Sequence, residues 1–131
     1  MAIASEICNS FKEEILQGGH CLNASGSTAA GYAIKLALYS SNSATLSKST
    51  TVYAAPSSAT ADPTSTYEVT TTGSGYTSGG NPLTNTGVGI STVTSFTDFS
   101  DTSWTSASFT ARGCLLYNSS TISGLTTDAA V

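Results

Sequence analysis

"YAIKLALY", Tyr32 to Tyr39, alternates with a period of two. Tyr32, Ile34, Leu36 and Leu38 fall on one face, and Ala33, Lys35, Ala37 and Tyr39 on the other. A helix would instead gather its apolar residues every three or four positions. Both faces carry apolar groups, so the stretch reads as a strand inside a sheet. The chain after it uses the same vocabulary. "TTVYA" (Thr50 to Ala54) and "YEVTTT" (Tyr67 to Thr72) are short β-branched runs. "GVGISTVTSFTDF" (Gly87 to Phe99) reads as one strand, or two with a bulge near Val93. "TSASFTARGCLLYN" (Thr105 to Asn118) reads as a longer strand. It places Ala107, Phe109, Ala111, Gly113, Leu115 and Tyr117 on one face, with Gly113 as a bend. The final Ala129, Ala130 and Val131 have the look of an entering strand.

Segments rich in Ser, Gly and Pro separate these runs. Ser40 to Ser49 breaks the alternation, and Ala55 to Thr66, with Pro56 and Pro63, reads as an exposed loop. One segment differs. Over Ser5 to Gln17, Ile7, Phe11 and Ile15 recur at helical spacing, with Cys8 and Leu16 beside them. Ser5 suits an N-cap, Gly18 and Gly19 a stop, and Glu13 and Glu14 the water-facing side. The pattern predicts a mainly β fold: a single antiparallel β-sandwich or barrel-like domain over 1–131, with a short N-terminal helix over 5–17 and a β-rich body over 31–131.

Composition narrows function. Charged residues make up 9% of the 131, against roughly 25% in an average soluble domain. Serine and threonine, roughly a third of the chain, take their place. Such a surface is solvated by hydroxyls and does little to repel its own copies. Lys12, Lys35, Lys48 and Arg112 are the four cations, at a net charge of −4. Scattered as they are, they argue against nucleic acid and against an anionic membrane as partners. Three cysteines do not make a disulfide framework. A Cys8–Cys21 bridge is conceivable, but free thiols in buried or half-buried places are the favoured reading.

Motifs that carry chemistry are scarce. "GSGYTSGGNPL", Gly73 to Leu83, suggests a phosphate cradle at first sight. It lacks the lysine of a P-loop, and Ser78 stands where a dinucleotide loop needs its third glycine. Asn81, Pro82 and Leu83 follow in place of a helix. The segment reads as a turn in which Gly73, Gly75, Gly79 and Gly80 allow tight bending around an anchoring Tyr76. Cys8, His20 and Cys21 match no zinc spacing. His20, the one histidine, reads as exposed and has no nucleophile beside it. Asp98 and Asp101 read as turn caps rather than as a hydrolytic pair. Asn23 and Asn118 head sequons. Trp104 reads as a core-capping aromatic. No catalytic, cofactor-binding or metal-binding residue is expected.

Four segments together carry a resemblance: "FKEEILQG" (Phe11 to Gly18), "KLALY" (Lys35 to Tyr39), the glycine segment Gly73 to Leu83, and "WTSASFTARGCLLYN" (Trp104 to Asn118). Their order resembles a family of small β-rich virion proteins of tailed bacteriophages. Gly73, Gly75, Tyr76, Gly79, Gly80, Trp104, Arg112 and Gly113 are the signature positions. The resemblance implies a non-enzymatic particle component on the capsid surface. It would be a decoration or cement protein bridging major capsid subunits, with that protein and copies of itself as partners. It also implies a sheet completed by residues beyond Val131 or by a neighbouring chain. The alternative is a tail, collar or fibre component that offers Ser40–Ser49 and Ala55–Thr66 to host glycan.

Overall fold

A computed structural model describes residues 5–22, 32–40, 46–53, 67–69, 73–121 and 127–131. The elements run α1 (Asn9–Leu16), β1 (Ile34–Tyr39), β2 (Asn81–Pro82), β3 (Asn85–Ser91), β4 (Thr94–Phe99), β5 (Gly113–Asn118) and β6 (Ala129–Ala130). Two antiparallel sheets result: a four-stranded one ordered β2-β1-β5-β6 and a two-stranded β3-β4. The fold is mainly β and sandwich-like with one helix, and the described strands close no barrel.

β1 lies inside the larger sheet, as its two apolar faces require. Its pairing with β5 sets Ala37 opposite Leu115, Lys35 opposite Tyr117 and Tyr39 opposite Gly113. The core forms on this face. Ala37, Tyr39, Leu115 and Tyr117 join Tyr53, Ala130, Cys8 and Phe11 in one cluster. The more aliphatic face is less covered: Ile34 is buried, while Leu36 and Leu38 are half-buried. Tyrosines therefore fill much of the interior, and their hydroxyls need partners there. β6 extends the sheet through Val131 N–H to Leu116 O (2.9 Å), and Val52 bridges to Ala129 on its far side.

Several boundaries differ from expectation. The helix begins at Asn9, with Cys8 rather than Ser5 as its N-cap and no side-chain cap. Glu6 stays outside it and accepts the Lys48 amide at 2.9 Å. Phe11 alone of the helical residues is buried, because Ile7 precedes the helix and Ile15 and Leu16 point outward. Gly18 does stop it, at φ 75°. The longer strand at Thr105 to Asn118 shrinks to Gly113–Asn118, so Ala107, Phe109 and Ala111 lie in irregular chain. Gly113 opens β5 rather than bending it. The described residues of "TTVYA" and "YEVTTT", 50–53 and 67–69, each contribute a single bridge.

The segment around Val93 is a hairpin, with Thr92 and Val93 as its two-residue turn. Its irregularity lies at the base instead, between Asn85 and Gly87. There the Asn85 carboxamide oxygen takes the Gly87 N–H at 2.6 Å and leaves the ladder one residue out of step. The base is tied to the body through Leu22 O, which accepts from the Asn85 amide and from Thr97 Oγ1. Beyond it the hairpin projects, exposing Val88, Ile90, Val93 and Phe96.

Candidate functional site

Among the described residues, the densest polar cluster centres on Glu68. The Tyr39–Glu68 bridge draws its backbone against the end of β1 and takes the side chain inside, 8% exposed. The glycine segment closes over it. Oε1 accepts from Tyr76 Oη at 2.8 Å and from the Gly79 N–H at 2.7 Å. Oε2 accepts from Tyr53 Oη at 3.0 Å and from Ser78 Oγ at 3.1 Å. A carboxylate offers about four acceptor sites, and these four donors occupy them. Tyr76 Oη also accepts the Leu38 N–H at 2.9 Å, which ties the cluster to β1. Tyr117 Oη donates to Gly79 O at 2.9 Å, so Gly79 is held through both its N–H and its C=O. The Tyr53 and Tyr117 rings stack at 4.3 Å.

Glycine is required where this loop touches the sheet. At Gly80, φ is 72° and a Cβ would lie 1.8 Å from Leu36 O. At Gly79, φ is 86° and a Cβ would lie 3.0 Å from Tyr117 Oη. Gly73 and Gly75 also have positive φ. Tyr76 is 3% exposed, and Trp104 and Phe109 pack against its ring at 6.2 and 5.7 Å. Trp104 is thus half-buried over the loop, and among the described residues neither its Nε1 nor the deeper Tyr39 Oη meets a hydrogen-bond partner.

Burial raises the tyrosine acidities' thresholds throughout. The Tyr53 phenol is pushed up to about 12 by desolvation, with Glu68 adding to the shift and the Ser78 hydroxyl opposing it. Tyr39, Tyr76 and Tyr117 are raised further, burial again leading. Neutral phenols, the Ser78 hydroxyl and the Gly79 amide thus fill the acceptor sites of the Glu68 carboxylate. The cluster is a clamp that fastens the glycine segment to β1 and β5.

His20 is not exposed, as the sequence suggested. Its side chain is fully enclosed, with Nε2 2.6 Å from Glu14 Oε2 and Nδ1 3.1 Å from Asn118 Nδ2. Glu14 therefore faces a partner rather than water. Asn118, 1% exposed, offers no accessible sequon in the folded chain; Asn23 lies outside the described residues. The three cysteines are free, with Cys8 buried, Cys21 half-buried and Cys114 exposed, the last against expectation. Asp98 and Asp101 are both exposed, and Asp98 Oδ1 accepts the Phe99 amide at 3.0 Å. Among the described residues no three His, Cys, Asp or Glu side chains gather as a metal site would need. No described helix is long and apolar enough to cross a membrane.

A cleft of about 410 Å³ opens where the helix entry meets β5, lined by Glu6, Cys8, Thr50, Arg112, Cys114 and Val131 among others. Arg112 sits at its rim with an exposed side chain, while its backbone N–H holds Tyr39 O at 2.7 Å. The loops offered above to host glycan fall largely at 41–45 and 54–66, outside the described residues.

Sequence reasoning singled out the glycine segment but missed Glu68, Tyr53 and Ser78. A signal was present: a lone carboxylate inside a β-branched run, in a chain with eight acidic residues. Compared with protein families, with curated proteins and with solved structures, the chain matches none.

Proposed function

We propose that this protein is a non-enzymatic structural component of a particle, acting as a decoration or cement protein on a tailed-phage head. It would clamp neighbouring major capsid subunits. The observation that carries the reading is the surface. In a chain with 9% charged residues, Ile7, Ile15, Leu16, Val88, Ile90, Val93 and Phe96 are all exposed. Apolar side chains at the helix and the residues that lead into it, and on a projecting hairpin, mark contact surfaces rather than a freely diffusing exterior. The internal polar chemistry supports the same reading, since the buried carboxylate is spent on rigidity. A rigid body with neutral, hydroxyl-rich, apolar-studded faces suits burial across subunit seams.

The test is cryo-electron microscopy of particles from the phage that encodes the chain, together with copy number per particle. Many symmetry-related copies on the head surface are expected. Density confined to the tail, or a purified particle without the protein, overturns the proposal.

A further inference from the structure

We propose that the edge of β3 away from β4, open among the described residues, pairs with the same edge of a second copy of this chain, about a two-fold axis through Gly89. The two hairpins would then form one four-stranded antiparallel sheet. The two-residue turn makes Ser91 and Thr94 a hydrogen-bonded pair. Alternation along the ladder then turns the N–H and C=O of Ile90 and Val88 outward, away from β4. None of these outward groups meets a backbone partner among the described residues.

The edge is self-complementary. A two-fold at Gly89 sets Val88 opposite Ile90 of the second copy and Ile90 opposite its Val88. Both are hydrogen-bonded pairs that use the outward groups. Their side chains lie on one face, 56% and 74% exposed, so pairing brings β-branched apolar groups side by side. On the other face Gly89 has no side chain to obstruct, and the Phe96 ring already lies over it.

The occupant is a second copy for three reasons. A lone two-stranded hairpin is marginal in water, whereas three or more strands are not. Edges are commonly guarded by lysine, proline or a bulge. Asn85 to Phe99 holds no lysine, arginine, glutamate or proline, and its bulge is confined to the base, leaving Val88 to Ser91 regular. With Asp98 as its one charge, the hairpin does not repel its own kind. The β4 edge is the poorer candidate, because there the outward residues are Ser95 and Thr97 and Thr97 is tied to Leu22.

The experiment uses the purified full chain: sedimentation velocity across a dilution series, with amide exchange followed by NMR at high concentration. A concentration-dependent dimer is expected, with the Val88 and Ile90 amides protected while those of Ser95 and Thr97 exchange freely. Ile90→Lys should abolish the dimer and that protection, with an unchanged circular-dichroism melt. Ser95→Lys should keep both. A monomer at every concentration, a dimer with Val88 and Ile90 unprotected, a dimer that survives Ile90→Lys, or association through this edge with a different protein alone overturns the proposal. This goes beyond the head-surface reading. A monomer would leave that reading standing, and absence from heads would leave the dimer standing.

Discussion

Glu68 shows how much one side chain can hold. Its four donors are the side chains of Tyr53, Tyr76 and Ser78 and the Gly79 amide, all on segments without regular structure. Glu68→Gln keeps the shape but turns two acceptor sites into donors, which then face donors. An unsatisfied buried polar group costs about 1–3 kcal/mol. The midpoint of urea unfolding should fall accordingly, and Glu68→Asp, too short to reach both sides, should also destabilise. An unchanged midpoint for Glu68→Gln would remove the clamp from this account. The glycines separate in the same way. Gly73→Ala meets nothing within 4 Å and should cost only the left-handed backbone penalty, about 1–2 kcal/mol. Gly80→Ala drives a Cβ into the Leu36 carbonyl and should abolish soluble folded protein. Glycine content was plain in the sequence. Which glycine mattered was not, because the obstruction is a strand more than forty residues away in the chain.

Among the elements, the hairpin and the helix depart most from their sequence patterns. Thr92, the first turn residue, sits at φ 56°, a conformation that β-branched residues seldom adopt. Asparagine tolerates it. Thr92→Asn should therefore slow amide exchange through β3 and β4, by an amount matching about 1 kcal/mol, and leave exchange in β1 and β5 unchanged. The helix reads correctly as a helix yet buries Phe11 alone. Its periodicity reports which residues share a stripe, not whether anything covers that stripe. The enclosed His20–Glu14–Asn118 contact, which fixes the helix end to β5, was invisible for a related reason: 98 residues separate His20 from Asn118.

For the whole molecule, the tyrosine core sets the response to alkali. Tyr39, Tyr53, Tyr76 and Tyr117 are four of the six tyrosines, and all four have phenols raised above the ordinary value of 10.0. Folding thus favours the neutral phenol. That contribution is complete below pH 10 and is lost as pH rises through the folded values, beginning with Tyr53 at about 12. Stability should hold to about pH 10 and then fall. The phenolate absorbance of these four should emerge in one cooperative step, together with loss of circular dichroism. Smooth titration before unfolding would count against the buried arrangement.

The sequence by itself determined the mainly β class, a strand within Tyr32–Tyr39 that the structure begins at Ile34, the helix and its glycine stop, and the turn character of Gly73 to Gly80, though not the short strand Asn81–Pro82 that follows. These follow from local rules, namely side-chain periodicity and the φ that glycine tolerates. Tertiary structure decided the rest. It cut Thr105–Asn118 to a six-residue strand, since only Gly113–Asn118 has β1 to pair with. It brought Glu68 to the tyrosines and enclosed His20, and among the described residues it tied the hairpin to the body only at its base. Each of these outcomes depends on contacts between distant segments, and local periodicity carries no information about which segments meet.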